Sequence, residues 1–461
     1  GHPHGPLNAW VLGALIAIFG QVREVPFHLA YLGFSLMAAF AMYSLARRFV
    51  PEQAMLATLL FLAVPAFVVN GNSFESDLVF LAFWLMSISY YIRAVDTQSI
   101  YLLGVSALAA ALAALDAFQA GMLTPILGLY LWQHNRRWTA GWIAILAAPA
   151  TIVLWQAWEW SAGALPLAVL LAYMQSSSLQ SSPRKLASAV ALTGHAGWIV
   201  FPPLVAAACW RTAKWWRWSI AGIAAGSAFL HDPNPLFWAS VAMGTLLVLS
   251  CLRKEFLSAW ILMFFGASLV IFFAGSARYL LPIAAPVAIL VAREVRSRGL
   301  MAGIAIQFLI SLGLATANHQ HWEQVRTFAD RVVAQSQARR VWVDAEWGIR
   351  HYLEDRGARP LQKDTILRTG DIVVRSELGQ PVEFTAPTAE LLQTAVAPWL
   401  PLRLRLPRPR TPRGRRPRGR PTPPLPPPTP LLQLLLLLQV RRQGVAVNVD
   451  APSCSSCSSV Q

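Results

Sequence analysis

Charged side chains are scarce in this sequence, because Asp, Glu, Lys and Arg together make up only 13% of its 461 residues. A soluble globular domain carries about a quarter of such residues. Hydrophobic residues make up 56% of the chain, and they come in blocks of roughly 16 to 20, enough to cross the hydrocarbon core of a bilayer as a helix. The composition therefore excludes an ordinary soluble domain and predicts an all-α polytopic membrane protein.

Acidic residues are scarcer than basic ones, with 22 Asp and Glu against 38 Lys and Arg and a net charge of +16. Such an excess can indicate nucleic-acid binding. Here the cations lie in short loops between apolar blocks and in one Pro-rich tail, and loop cations of this kind orient membrane helices. The run WRTAKWWRW at 210–218 is typical of an interfacial belt. We predict the lipid bilayer as a partner and no nucleic acid.

Cysteine is also rare, and its four occurrences indicate no disulfide framework. Cys209 and Cys251 lie in apolar segments, where a small core residue is the usual role. Cys454 and Cys457 form an isolated C-x-x-C in a Ser-rich terminus. Without a second pair or neighbouring histidines, this motif is a weak indication of a metal or redox site.

About twelve apolar blocks are separated by loops that alternate in charge. One set of loops is rich in Arg and the other contains Glu75, Asp77 and Asp116, with Arg184, Lys185 and Arg278 as the main exceptions. The positive-inside rule places the Arg-rich loops in the cytoplasm and the acidic loops outside. The predicted spans are 26–46, 54–70, 78–93, 99–115, 117–133, 139–157, 187–210, 217–230, 235–252, 256–274, 279–292 and 299–317.

The domain organisation follows from shifts in composition. Residues 1–317 form the predicted transmembrane domain, with an interfacial helix at 6–20 and a long outer loop at 161–186. Residues 318–395 alternate strand and helix patterns and predict a small α/β domain on the outer face. Residues 396–461 form a low-complexity tail rich in Pro and Arg, predicted to be disordered or to result from a shifted reading frame.

Two carboxylates, Glu75 and Asp77, precede a membrane-length helix. In the simplest interpretation they are loop charges, or Asp77 caps the helix in competition with Ser73 or Ser76. In a functional interpretation, a carboxylate at the membrane face accepts a proton from an acceptor hydroxyl. A neighbouring pair of carboxylates can also hold a divalent cation. The spacing alone leaves these alternatives open.

Several segments together resemble a known enzyme family. These are HPHGPLNAWVLGALIAIFG at 2–20, the helix ending in ARR at 46–48, ESDLVFLAFW at 75–84, ARYLLPIAAP at 277–286 and VWVDAEWGIRHYLEDRGARPL at 341–361. They resemble polyprenyl-phosphate-sugar glycosyltransferases related to protein O-mannosyltransferases and lipid A aminoarabinose transferases. The resemblance covers approximately residues 2 to 380, although no single motif is unique to the family.

The resemblance implies an inverting membrane glycosyltransferase of the C-type fold in a bacterial inner membrane. Its donor would be a sugar on a polyprenyl phosphate, undecaprenyl in a bacterium, and its acceptor a lipid, glycan or protein on the outer face. Asp77 matches the second acidic position of the family, and Glu75 lies beside it. The principal base is expected in a loop that would precede Gly1, so the chain resembles a family member without its first helix.

The resemblance also suggests binding residues. Arg278 is the best candidate for the leaving phosphate, with an interfacial anchor as its alternative role. Lys185 and Arg184 are weaker phosphate candidates. His2 and His4 occupy the acceptor or metal region of the family. Where family members carry a phosphate-binding Lys, this sequence has Asp116 instead, which puts that contact in doubt.

Two other functions remain open from the sequence. A transporter or flippase of lipid-linked sugars would need ionisable residues in mid-helix along a path through the bundle, and the predicted spans contain almost none. A non-catalytic membrane subunit would bind the donor lipid, or a partner through its outer domain, without turnover. The sequence does not identify the sugar.

Overall fold

The structure is a computed structural model that describes residues 5–71, 73–163, 182–210, 213–271, 277–336, 339–344, 348–362, 365–368, 370–375, 389–395 and 443–449. The described residues up to 313 form one compact unit, and those from 314 onward form a second.

The first unit is built from helices, as the apolar blocks predict. Each predicted span corresponds to one helix or to two consecutive ones. The helices are α1 (Leu7–Phe19), α2 (Glu24–Phe49), α3 (Ala54–Leu62), α4 (Pro65–Asn70), α5 (Ser76–Thr97), α6 (Ile100–Asp116), α7 (Leu123–Asn135), α8 (Thr139–Ala144), α9 (Ala147–Ser161), α10 (Ser182–Gly197), α11 (Pro202–Trp210), α12 (Trp215–His231), α13 (Pro235–Ser250), α14 (Phe256–Ile271), α15 (Leu281–Glu294) and α16 (Ser297–Gln335).

Proline breaks two of the predicted spans. The block at 54–70 is divided into α3 and α4 just before Pro65, and Val64 has an extended ψ of 129°. The block at 187–210 bends by 80° between the helices at 186–197 and 202–210. Because proline disfavours the helical conformation of the residue before it and lacks an N–H donor, a helix commonly ends there. The second bend is a broken span or a re-entrant loop.

Within the described residues, four helices are long and apolar enough to cross a membrane by length and composition, or five if the bent pair is one span. The four are Glu24–Phe49, Ser76–Thr97, the combined segment Thr139–Ser161, and Ser297–Gln335. Further apolar helices have 10–17 residues, including α1, α6 and α13. The chain is a multi-pass helical membrane protein, as its composition predicts.

Helix α5 lies at the centre of this unit and packs against α2 and α6. Its side chains are buried on most sides, and Trp84 is fully buried. On α6, small residues such as Ala110 and Ala113 are buried in the same core, and small side chains let neighbouring membrane helices approach closely. The hydroxyl of Ser106 donates to the Ser87 carbonyl at 2.8 Å. Because α5 and α6 are consecutive and antiparallel, the start of α5 and the end of α6 lie at one end of the pair.

Helices α10 and α13 approach each other most closely at two glycines. A Cβ atom on Gly197 would lie 2.2 Å from the Ser240 carbonyl oxygen, and one on Gly244 would lie 1.8 Å from the Thr193 carbonyl oxygen. Real Cβ atoms essentially never come this close. Glycine is therefore required at both positions to maintain this helix crossing.

The second unit combines a sheet with helices. Its strands are β1 (Val341–Asp344), β2 (Arg359–Pro360), β3 (Ile372–Arg375), β4 (Ala389–Ala395) and β5 (Gln443–Val449), in the spatial order β2-β1-β3-β5-β4. Strand β1 is parallel to β2 and β3, whereas β5 is antiparallel to β3 and β4. Helix α17 (Gly348–Glu354) follows β1. The core contains Val325, Phe328, Val332, Val343, Leu353 and Val374.

One strand lies where the sequence predicts disorder. Gln443–Val449 falls inside the tail at 396–461 and pairs with β3 and β4. Its sequence, QGVAVNV, repeats valine at alternate positions, which favours an extended strand. The structure therefore differs from the prediction over these residues. The Pro- and Arg-rich tract before them lies outside the described residues, as does 164–181 of the predicted long outer loop.

Candidate functional site

The two carboxylates singled out in the sequence lie at the start of α5. Glu75 occupies the N-cap position in an extended conformation (φ −76°, ψ 150°), and its side chain makes no capping hydrogen bond. Asp77 lies in the first turn, where the positive end of the helix dipole stabilises a negative charge. Ser73 donates its hydroxyl to the Asn70 carbonyl at 3.0 Å. Asp77 is thus neither the cap of this helix nor a solvated loop residue, because it is only 8% exposed.

Arg278 connects both carboxylates from a distant part of the chain. Its Nε atom lies 3.3 Å from Oδ2 of Asp77, and its Nη1 atom donates to Oε2 of Glu75. It lies in a 3-10 turn, Ala277–Leu280, directly before α15. The Asp77 side chain is 9% exposed and that of Glu75 is 47% exposed, so the pair with Asp77 is better shielded from solvent. We call Glu75, Asp77 and Arg278 the carboxylate–arginine cluster.

The environment keeps Arg278 charged. Burial lowers the pKa of its guanidinium, but the charges of Asp77 and Glu75 outweigh this effect and raise the pKa above its ordinary value. The guanidinium carbon also lies 5.4 Å from the centre of the Tyr279 ring, a distance at which a cation is attracted to the face of an aromatic ring. The cluster therefore combines one permanent positive charge with two acidic side chains.

A third carboxyl group, that of Asp116, lies near the cluster at the end of α6. Asp116 is fully buried and interacts electrostatically with Asp77. Neither of its carboxyl oxygens has a partner in good hydrogen-bond geometry within the described residues, although backbone groups of Asn8 and Phe80 lie nearby. Its main-chain oxygen accepts from the Gly5 N–H at 3.0 Å. The sequence places Asp116 in an acidic outer loop and at a departure from the family pattern, but not in the site.

A small polar network fixes the backbone beside the cluster. The Asn8 side chain donates to the Phe74 carbonyl at 2.9 Å and accepts from the Tyr31 hydroxyl. The Ser35 hydroxyl donates to the Gly71 carbonyl. These bonds tie α1 and α2 to the segment that leads into Glu75. Neither Asn8 nor Tyr31 is predicted from the sequence to belong to the site. Asn8 could have been recognised from the sequence, because its polar side-chain amide lies near the start of the otherwise apolar helix α1.

The side chains of the other four predicted site residues lie outside the part of the chain that the structure describes. His2 and His4 lie outside the described residues. Arg184 and Lys185 fall in the first turn of α10, and their side chains also lie outside the description. No group of three or more His, Cys, Asp and Glu side chains that could hold a metal ion occurs in the part of the chain that the structure describes.

Comparison with protein families supports the sequence-based resemblance. Residues 2–160 match the model of the dolichyl-phosphate-mannose-protein mannosyltransferase family. The predicted family resemblance is confirmed over these residues, which are about a third of the chain. This region contains Glu75, Asp77 and Asp116, whereas Arg278 lies beyond it.

Comparison with solved structures gives a more distant similarity. The crystal structure of ArnT from Cupriavidus metallidurans bound to undecaprenyl phosphate aligns with 98% of this chain and 89% of its own, at 13% identity and a TM-score of 0.46. The comparison with curated proteins gives no match.

Proposed function

We propose that this protein is a membrane glycosyltransferase that moves a sugar from a polyprenyl-phosphate donor to an acceptor on the outer face of the membrane. The carboxylate–arginine cluster is the observation that carries the proposal. It joins the region that matches the mannosyltransferase family to Arg278, about 200 residues away in the chain. Such a transfer needs a cation for the phosphate and carboxylates on the acceptor side, and the cluster contains both. The donor would be an undecaprenyl-linked sugar in a bacterial inner membrane, with the second unit of the chain on the outer side.

In this proposal Arg278 receives the leaving phosphate. A guanidinium carries five N–H donors in a fixed plane and can bind phosphate oxygens through two parallel hydrogen bonds. The hydrogen bond to Glu75 uses one of these groups, so further donors remain for a ligand. The two carboxylates hold the guanidinium in position before the donor arrives, which reduces the cost of ordering it at the moment of binding.

The acidic residues act on the acceptor side of the reaction. The acceptor oxygen forms a bond to the anomeric carbon, the bond between that carbon and the phosphate oxygen breaks, and the hydroxyl proton passes to a carboxylate. Attack from the face opposite the phosphate inverts the anomeric centre. A positioned carboxylate base contributes about 10²–10⁴-fold to such a step. We propose that Asp77 and Glu75 support this carboxylate, as the family resemblance implies, and that neither is the principal base.

The test is transfer of a labelled sugar from polyprenyl phosphate by Asp77→Asn and Arg278→Gln variants in membranes. We expect Asp77→Asn to lower the rate at saturating donor by about 10²-fold, the lower end of the range for a carboxylate base, because the base loses its support. Arg278→Gln should lower both the rate and the apparent donor affinity, because it removes a phosphate contact. Glu159→Gln is the matched control, since Glu159 lies on α9 and accepts a hydrogen bond from Gln156. Folded Asp77→Asn and Arg278→Gln proteins with wild-type transfer would refute the proposed roles.

A further inference from the structure

A cavity of about 40 Å³ lies between α11, α13, α14 and α15. It lies at the end of the bundle where α13 and α15 end and α14 begins, away from the carboxylate–arginine cluster. Its inner wall is apolar and includes Val205, Leu247 and Val287. Its remaining wall carries polar side chains, Ser250, Ser258, Arg253 and Arg293 among them. The cavity is large enough for about three water-sized groups, and its polar wall carries Arg253, Arg293 and also Glu294, one positive charge in excess.

Contacts between the helix ends place this cavity at the Arg-rich end. Arg48, at the end of α2, pairs with Asp96 near the end of α5 at 2.6 Å. The Phe49 ring stacks on Phe256, the first residue of α14, with the ring centres 6.0 Å apart. Because Asp77 lies in the first turn of α5 and Asp96 in its last turn, the cavity and the carboxylate–arginine cluster belong to opposite ends of this helix.

Two buried polar groups, Ser250 in the cavity wall and Arg217 near the cavity residue Cys209, have unsatisfied hydrogen-bonding capacity among the described residues. Ser250 is 8% exposed, lines the cavity, and its hydroxyl has no hydrogen-bond partner in good geometry. The nearby Cys209 thiol is only a weak acceptor. Arg217 is 7% exposed, its Nε atom has no partner, and its charge acts on the same thiol. Leaving a buried donor without a partner is unfavourable, so a ligand that accepts hydrogen bonds would stabilise this region.

The charges around the cavity favour an anion. Arg293 is compensated by Glu255, with Nη2 donating to Oε2 at 3.0 Å, and its Nε lies 3.6 Å from Glu294. Arg253 is half-buried, and no acidic side chain pairs with it within the described residues. The region around the cavity therefore contains three arginines, with Arg217 included, and two glutamates, Glu255 and Glu294. Its net charge is +1. A phosphate group provides both the negative charge and the acceptor oxygens that these donors lack.

We propose that this cavity binds the phosphate group of an anionic phospholipid. The surroundings favour a lipid as the source of the phosphate over a free ion. Trp210 and Trp215 are 75% and 80% exposed and flank the segment that leads to Arg217, and tryptophan is enriched at membrane interfaces. Basic pockets between membrane helices on the cytoplasmic side are suited to anionic head groups. This proposal is independent of the transferase activity.

The test is native mass spectrometry of the delipidated full chain in a neutral detergent. Phosphatidylglycerol, phosphatidylcholine and inorganic phosphate are added separately, and the bound fraction of each is measured. We expect phosphatidylglycerol to bind more tightly than phosphatidylcholine. Arg253→Gln should weaken its binding about fivefold, which corresponds to the ~1 kcal/mol that one basic side chain contributes near anionic lipid.

Two further variants make the result specific. Ser250→Ala should also weaken phosphatidylglycerol binding, because it removes a donor without changing the charge. Arg47→Gln should have no effect, since Arg47 is exposed at the end of α2 and does not line the cavity. Equal losses in Arg47→Gln and Arg253→Gln would overturn the proposal by indicating only non-specific attraction. Binding of inorganic phosphate with no preference for phosphatidylglycerol would overturn the assignment to a lipid.

Discussion

The contact between Arg278 and its two carboxylates gives a quantitative prediction about stability. Although the Glu75 contact is the shorter of the two, we expect Arg278 to be coupled more strongly to Asp77 than to Glu75. The reason is exposure, because the Asp77 side chain is 9% exposed and the Glu75 side chain is 47% exposed. Water screens the half-exposed pair, whereas the buried carboxylate has lost most of its solvation.

The magnitudes follow from this difference in burial. A half-exposed ion pair contributes about 0.2–1 kcal/mol, so we expect a coupling of about 0.5 kcal/mol between Arg278 and Glu75. Removing one partner of a fully buried pair costs about 3–5 kcal/mol, and the Arg278 side chain is itself 31% exposed. We therefore place the coupling between Arg278 and Asp77 below that range, at about 2 kcal/mol, within the values measured for residues in contact.

The assay is a pair of double-mutant cycles on the purified protein. The variants are Arg278→Gln, Glu75→Gln, Asp77→Asn and the two double variants, with the free energy of unfolding measured by denaturant titration and tryptophan fluorescence. The double variant Asp77→Asn/Arg278→Gln should lose less stability than the sum of its single variants. Equal couplings in the two cycles, or a larger coupling to Glu75, would refute the argument from burial.

Three further predictions concern the fold. Gly244→Ala should destabilise the protein by about 2 kcal/mol or more, because the new methyl group would clash with the backbone of α10. The control, Gly222→Ala, lies on an open face of α12 and should be neutral or stabilising. Thermal unfolding of both variants measures the difference. Gln307→Leu should cost about 1–3 kcal/mol, since the buried amide of Gln307 accepts from the Phe201 N–H, and unchanged stability would contradict it. Asp371→Asn should cost about 2–3 kcal/mol and loosen the second unit first, because this carboxylate is 3% exposed and accepts two bonds from one arginine; hydrogen exchange in β1 and β3 measures the effect.

Hydrophobic blocks were sufficient to predict the positions of most helices in the first unit. The predicted span 78–93 lies within Ser76–Thr97, and 235–252 nearly coincides with Pro235–Ser250. The pattern could not locate the breaks before Pro65 and Pro202, because proline can either kink a membrane helix or end it. The strand at Gln443–Val449 was missed because its pattern is short and follows a tract with no core-forming residues.

The candidate site was predictable only in part. Glu75 and Asp77 stand out because a charge is expensive beside an apolar helix. The contact of Arg278 with both of them joins segments about 200 residues apart in the chain, and such a contact depends on how the helices pack. Nothing in the sequence indicated that Asp116 belongs to the site, since an acidic residue at a helix end is ordinarily exposed to solvent. Only the packing of α5 against α6 shows that it is fully buried near Asp77.

The central claim is that the chain transfers a sugar from a polyprenyl phosphate. The most direct test places the purified protein in lipid nanodiscs with a labelled polyprenyl-phosphate sugar and a candidate acceptor, and measures release of free polyprenyl phosphate together with labelled product. We predict that both appear at equal rates with the wild-type protein and that Asp77→Asn lowers both rates by about 10²-fold. Tight binding of the donor without any release, with every class of acceptor supplied, would contradict the claim and favour a lipid-binding subunit.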